Sequence, residues 1–228
     1  MAINYMKDFK MNSVEHYDSR GALKPARDEY VGELLVSTDN KMFFTANPRD
    51  QIDYFERKYK FLSGHNYQEN NFLIILESPH RLEFDKSGEP IALMMGKTGC
   101  LFFDFFIFHL SKSAMKIKPG NYNVIVCNAV QYQTSCGLNP INRDIRNRNW
   151  LDIYYKFGGN YDLKERIFSI KPKYIINLCT GGKDPNGLRS QISKDLDSYP
   201  LIKGKHYTEG DHPSSWYIKH DDNHRYIF

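Results

Sequence analysis

The chain has 228 residues, of which 41% are hydrophobic and 25% charged, which is enough for one domain with its own apolar core. A formal net charge of +4 is compatible with a polyanionic partner and does not require one. The four cysteines form no C-x-x-C pair, and the apolar run at residues 101–108 is too short to span a bilayer. We therefore expect a cytoplasmic protein with reduced thiols, no metal, no cofactor and no membrane contact.

Residues 1–70 differ from the rest of the chain and predict an N-terminal extension that packs on the main domain. Residues 30–36 and 42–45 are rich in β-forming side chains and are separated by a short polar segment, which predicts a hairpin. Residues 50–62 carry apolar side chains at helical spacing, and a helix is expected there.

Strands alternate with helices over residues 71–228. Strands are predicted at residues 72–76, 124–127, 174–179 and 205–207, and helices at residues 99–112, 163–170 and 188–196. Such alternation is typical of a parallel sheet covered by helices on both faces. The sequence thus predicts an α/β fold: a three-layer α/β/α domain around a central, mainly parallel four-stranded sheet.

Polar side chains follow each predicted strand, and in parallel sheets ligands bind at the carboxyl ends of the strands. The residues at these ends are Glu77, Ser78, His80, Asn128, Thr180, Asp211, His212 and Ser214. A carboxylate can position or deprotonate water, a neutral histidine can donate to an oxygen that gains charge, and an amide suits a pyrimidine edge. These groups suit hydrolysis of a glycosidic bond, although several hydrolases and nucleotide binders would supply similar ones.

Several motifs, in order along the chain, resemble those of the uracil-DNA glycosylase superfamily. That family has GQDPY, GEAPG or GMNPG after its first strand and HPS near the end; this chain has Leu-Glu-Ser-Pro-His at residues 76–80 and His-Pro-Ser at residues 212–214. The GEAPG branch is the most similar. Its glycine loop resembles residues 96–99. Its T-N-V-V-K strand end resembles residues 127–131, and the NR pair that follows resembles residues 142–143. Its P-K-x-I-x-x-L-G strand resembles residues 173–182.

The resemblance implies a fold of the glycosylase type and a monofunctional DNA glycosylase that leaves an abasic site. Its catalytic residues would be Glu77, Ser78 and His212. Glu77 would position the water, with Glu83 and Asp85 as alternatives. Ser78 occupies the position of a catalytic Asp or Asn in other branches and cannot itself be a general base at neutral pH. His212 would face O2 of the base.

The same resemblance implies a pocket for a base flipped out of DNA. Asn128 would bind the base, Pro79 would shape the turn, and His80 would border the pyrimidine C5 edge, where the family has Gly or Tyr. Met94 lies in a short insertion at the place of the missing stacking aromatic. Uracil is the base that the family implies, and these departures favour the alternative of a modified pyrimidine, such as hydroxymethylated or glucosylated cytosine of phage DNA.

DNA is the implied partner, and no obligate protein partner is inferred. The residues expected at the DNA are Gly96, Lys97, Thr98, Arg143, Ser214, Ser215 and Trp216, the last as a wedge that Tyr217 could replace. Arg143 belongs to a basic segment that includes Arg146 and Arg148. A non-catalytic nucleic-acid or nucleotide binder that keeps this fold, and a hydrolase of free nucleosides or nucleotides, remain alternatives.

Overall fold

The structure, a computed structural model, describes most of the predicted α/β region. The described residues are 25–47, 70–85, 88–134, 143–180, 187–200, 202, 206–216, 219–220 and 224–225. The helix predicted over residues 50–62 lies outside them. None of the described helices combines the length and apolar character that a membrane crossing requires.

A single mixed sheet forms the centre of the fold. Its strands are β1 (Glu29–Val36), β2 (Met42–Ala46), β3 (Asn71–Leu76), β4 (Gly120–Asn128), β5 (Tyr174–Asn177) and β6 (His206–Glu209), in the order β2-β1-β4-β3-β5-β6. The strands β4, β3, β5 and β6 run parallel to one another, and β1 is antiparallel to both β2 and β4. A separate short hairpin pairs β7 (Lys219–His220) with β8 (His224–Arg225).

The α/β class and the N-terminal hairpin are confirmed, but the predicted count of four strands is wrong. The hairpin extends the sheet itself because the outer edge of β4 offers backbone groups for pairing, from Glu29 against Val126 to Val36 against Gly120. In β1, Leu34 and Val36 are buried while Leu35 is 44% exposed. This alternation is typical of an antiparallel strand with one face on the core.

Among the described residues, four α-helices cover the two faces of the sheet: α1 (Lys97–Lys112), α2 (Arg143–Leu151), α3 (Gly159–Ile170) and α4 (Leu188–Ser198). Successive side chains of a strand point to opposite faces. Accordingly Phe72 and Ile74 pack with α1, whereas Leu73 and Ile75 pack with the other three helices. The wholly buried β3 thus has apolar side chains on both faces, as the sequence indicated.

The sequence did not predict α2, which a π-helical turn (Asp152–Lys156) follows. Its residues are mainly Arg and Asn, so the helix shows little apolar periodicity. Trp150 nevertheless fixes it to the sheet, because the indole is fully buried and its Nε1–H donates to the carbonyl oxygen of Glu77 at 2.9 Å. This contact brings the arginines of α2 to the carboxyl edge of the parallel strands.

Candidate functional site at the carboxyl edge of the sheet

Glu77 comes directly after β3 and is 5% exposed. Its backbone is held in place because its carbonyl oxygen accepts from Val130 at 3.1 Å as well as from Trp150. In the side chain, Oε1 lies 3.4 Å from Nε of Arg146. The second oxygen, Oε2, is buried and has no hydrogen-bond partner among the described residues.

The surroundings of Glu77 change the proton affinity of its carboxyl group. Burial raises the pKa of Glu77, while the charge of Arg146 and the backbone N–H of Thr180 lower it, and the net shift is upward. Burial dominates because a carboxylate loses hydration that a single loose ion pair does not replace. A buried carboxyl with a raised pKa and an open oxygen can accept a proton from water.

His212 follows β6 and begins the short 3₁₀ turn Pro213–Ser215. Its Nδ1 accepts the backbone N–H of Ser214 at 3.2 Å and lies 2.8 Å from the hydroxyl of the same residue. Burial, with the charges of Arg146 and Arg189, lowers the pKa of His212 to about 4. The ring is therefore neutral near pH 7, and because Nδ1 is the acceptor, the proton resides on Nε2.

Asn128 is the last residue of β4 and stands in register with Leu76, one residue before Glu77. It is 2% exposed, and its carbonyl oxygen accepts from Nη2 of Arg166 at 3.0 Å. The amide Nδ2 is buried and has no hydrogen-bond partner among the described residues. Glu77 Oε2 and Asn128 Nδ2 thus do not bond to each other, and each leaves a polar atom for a ligand.

Two arginines from different helices complete this edge. Arg146 on α2 reaches Oγ1 of Thr180 at 3.5 Å. Arg189 on α4 donates from Nε to the carbonyl oxygen of Cys179 at 2.9 Å, and its Nη1 lies 3.6 Å from Oδ1 of Asp211. Sequence reasoning noticed Arg146 only as part of a basic segment and missed Arg189. The available signal was the position of Arg189 in the first turn of the helix after β5.

The predicted site residues in and near the loop after β3 differ in burial and in their contacts. Ser78 bonds through its hydroxyl to Thr134 at 2.8 Å, Pro79 is buried and His80 is exposed. Met94 is fully buried in the core on the α1 side, with a positive φ of 59°. The structure therefore places Met94 in the packing beneath the loop.

Glu83, the first alternative to Glu77, supports the same loop. Its two oxygens accept the backbone N–H groups of Met94 at 2.9 Å and His80 at 3.2 Å. Burial raises the pKa of Glu83 to about 8, although these N–H groups lower it. Asp85, the second alternative, accepts the backbone N–H of Glu89 at 2.9 Å. Both carboxyl groups thus hold local turns.

The residues expected at DNA lie at three places: the start of α1, the turn after His212 and the start of α2. Gly96, with φ of 75°, precedes α1, and Lys97 and Thr98 form its first turn, where backbone N–H groups favour anions. Ser214 and Ser215 bond to His212 at Nδ1 and at its carbonyl oxygen. Arg143 begins α2, and its side chain, like Tyr217, lies outside the described residues.

Trp216 is 4% exposed and stacks on His109 of α1, with ring centroids 4.4 Å apart. Its Nε1–H donates to the carbonyl oxygen of Asp211 at 2.8 Å. The indole therefore anchors the loop that carries His212 to the core. A wedge role would require Trp216 to leave this position.

The described cysteines are free; Cys127 and Cys179 are buried and Cys100 is exposed. Burial raises the pKa of both buried thiols, so neither is a ready nucleophile. Within the described ranges, no group of three or more His, Cys, Asp or Glu side chains could hold a metal ion. The site therefore offers oxygen, amide, imidazole and guanidinium groups.

Comparison of the chain with protein-family models, curated proteins and solved structures found no match.

Proposed function

We propose that the protein is a DNA glycosylase that hydrolyses the N-glycosidic bond of a flipped uracil or modified pyrimidine. The observation that supports this proposal is the set of three groups at one sheet edge: a buried carboxyl with an open oxygen, a neutral imidazole and a buried amide with an open N–H. The motifs at residues 76–80 and 212–214 that resemble the uracil-DNA glycosylase superfamily point the same way.

In the proposed reaction, Glu77 holds a water molecule and accepts its proton as the water oxygen bonds to C1′ of the deoxyribose. The bond between C1′ and the base nitrogen breaks, and its electron pair leaves with the base. The sugar passes through an oxocarbenium-like state, which a nearby carboxylate stabilises. The products are an abasic site and a pyrimidine that takes up a proton.

His212 and Asn128 act on the departing base. The Nε2–H of His212 donates to the carbonyl oxygen on which negative charge develops, and a neutral donor suffices there. The Nδ2–H and Oδ1 of Asn128 pair with an acceptor and a donor on the base edge. This division of roles accounts for a histidine that stays neutral over the physiological pH range.

A non-catalytic nucleic-acid binder with this fold is the second candidate. Ser78 supports it, because a serine engaged with Thr134 stands where other branches have an acidic or amide side chain. Such a binder would hold DNA in a salt-sensitive manner and release no base.

Mass spectrometry of free bases tests the proposal on DNA that contains uracil or modified cytosine. We expect release from one of the two, and a loss of about 10²-fold or more in Glu77→Gln and in Asn128→Ala. Glu165→Gln, a matched change at an exposed position of α3, should retain the wild-type rate. Wild-type release by both site variants would contradict the site assignment, and binding of DNA without any release would favour the second candidate.

A further inference from the structure

Arg146 and Arg189 come from α2 and α4 to adjacent residues just after β5. Nη2 of Arg146 lies 3.5 Å from Oγ1 of Thr180, and Nε of Arg189 donates to the carbonyl oxygen of Cys179 at 2.9 Å. Their side chains keep some access to solvent, with exposed fractions of 20% and 10%. Two guanidinium groups from separate helices thus converge beside the proposed catalytic groups. Planar guanidinium forks suit the oxygens of carboxylate and phosphate.

The ion pairs of these two arginines are long. The contacts are 3.4 Å from Arg146 to Glu77 and 3.6 Å from Arg189 to Asp211, whereas a charge-assisted N–H···O contact is typically about 2.7–2.9 Å. Arg166, an arginine of the core, shows the tight alternative at 2.7 Å to Asp28 and 2.8 Å to Asp162. The molecule can therefore build close arginine pairs, and it does not do so at the site.

The carboxyl partners at the site also leave positive charge uncompensated. Glu77 reaches Arg146 with one oxygen only, at 3.4 Å, and its other oxygen has no hydrogen-bond partner among the described residues. The side chain of Asp211 is 79% exposed, so solvent screens its attraction for Arg189. An anion placed between the two guanidinium groups would gain more than either carboxylate does.

We propose that Arg146 and Arg189 form a phosphate subsite beside His212 and hold a phosphate group of the nucleotide whose base is removed. This inference rests on the proposed function only in assigning the phosphate to a nucleotide. The shared chemistry is a phosphate monoester or diester, either a diester that flanks the flipped nucleotide in DNA or the terminal group of a free nucleotide.

The first test measures phosphate binding without any turnover. Inorganic phosphate is titrated into the full-length protein by isothermal calorimetry, at constant ionic strength maintained with chloride. We expect binding in the millimolar range, weakened at least about tenfold in Arg146→Gln and in Arg189→Gln. Arg148→Gln removes the same charge from an exposed position of α2 and should bind phosphate as wild type does. Equal binding by wild type and both site variants would overturn the proposal.

A second variant gives an effect of opposite sign, which misfolding cannot imitate. Asp211→Asn removes the carboxylate that competes for Arg189, while the backbone oxygen that Trp216 uses remains. We expect Asp211→Asn to bind inorganic phosphate more tightly than wild type by about threefold or more. Unchanged or weaker binding by a folded Asp211→Asn variant would contradict the subsite.

Two further measurements separate this proposal from the proposed function and identify the source of the phosphate. Phosphate binding without base release would support the phosphate subsite and contradict the proposed glycosylase activity. Base release without phosphate binding would support the glycosylase activity and contradict the subsite. Competition of inorganic phosphate with a short uracil-containing DNA, and separately with deoxyuridine monophosphate, distinguishes a DNA diester from a free nucleotide. We expect the DNA and the free nucleotide to bind through Arg146 and Arg189, and the one that binds more tightly identifies the substrate.

Discussion

Arg166 and Arg146 both lie near the carboxyl edge of the sheet, yet their surroundings differ. Arg166 on α3 pairs with Asp28 and Asp162 and donates to the carbonyl oxygens of Asn128 and Ala129. Arg146 on α2 donates to the amide oxygen of Asn147 at 2.9 and 3.2 Å, and its contacts to Glu77 and Thr180 are longer, at 3.4 and 3.5 Å. The first arginine thus has close carboxylate partners, whereas the close partner of the second is a neutral side chain.

This difference separates a structural arginine, Arg166, from Arg146, which we propose binds phosphate. Arg166 connects the segment before β1 to the end of β4, because Asp28 also accepts from Gln131 at 3.1 Å. The charged groups of Arg166 and Asp28 are paired with each other at 2.7 Å, as burial of charge requires. Arg146 faces a carboxyl with an open oxygen, an arrangement that gives up stability in the free protein and leaves groups for a ligand.

The largest expected effect on stability is that of replacing Arg166. Arg166→Met removes one partner of a buried ion network, so Asp28 and two carbonyl oxygens lose a charged donor. We expect the free energy of unfolding to fall by about 3–5 kcal/mol, measured by urea denaturation at pH 7.

Arg146→Met is the matched control for that comparison. Its loss should be smaller, about 1–2 kcal/mol, because the variant loses one longer contact to the carboxyl of Glu77 and hydrogen bonds to a neutral side chain, Asn147. An equal loss in the two variants would show that contact length at these arginines does not report their structural role.

A smaller effect is expected from the pH dependence of His212. Its pKa falls from 6.5 to about 4 on folding, so between these values the unfolded chain binds a proton that the folded protein does not. Stability is therefore lost as pH falls through this window, by at most about 3 kcal/mol. His212→Asn should show a shallower decline in urea unfolding between pH 6.5 and pH 4.

Stability at pH 8 provides the baseline for that measurement, because the imidazole is neutral there in both states. A decline in His212→Asn as steep as that of wild type would show that burial and the two arginines do not hold the ring neutral. The neutral-donor role proposed for His212 would then lose its support.

The smallest effect tests whether short distance alone makes an ion pair structural. Lys41 and Asp39 in the β1–β2 turn are 2.8 Å apart, with side chains that are 71% and 56% exposed. We expect Lys41→Met to change the free energy of unfolding by less than about 0.5 kcal/mol, because solvent screens the pair. A loss comparable to that of Arg166→Met would mean that burial is not what distinguishes Arg166.

Much of the parallel core could be predicted from the sequence, because neighbouring residues determine its strands and strand ends. The apolar run of β3 and the polar residues that follow it reflect burial on both faces and a strand end, which neighbouring residues determine. The helix α2 escaped prediction because a single buried indole, Trp150, anchors an otherwise polar segment. The pairing of β1 with β4 was not predicted, because it depends on a strand edge that lies far away in the sequence.

The sequence by itself determined the α/β class, the hairpin, and the positions of Glu77, Asn128 and His212 at strand ends, since alternation of apolar and polar residues encodes them. Only the tertiary structure decided what surrounds these side chains. Arg146 and Arg189 come from α2 and α4 to the same edge of the sheet, and burial shifts the pKa of Glu77 and His212 in opposite directions. Desolvation and charge act through space, and no local pattern in the sequence records them.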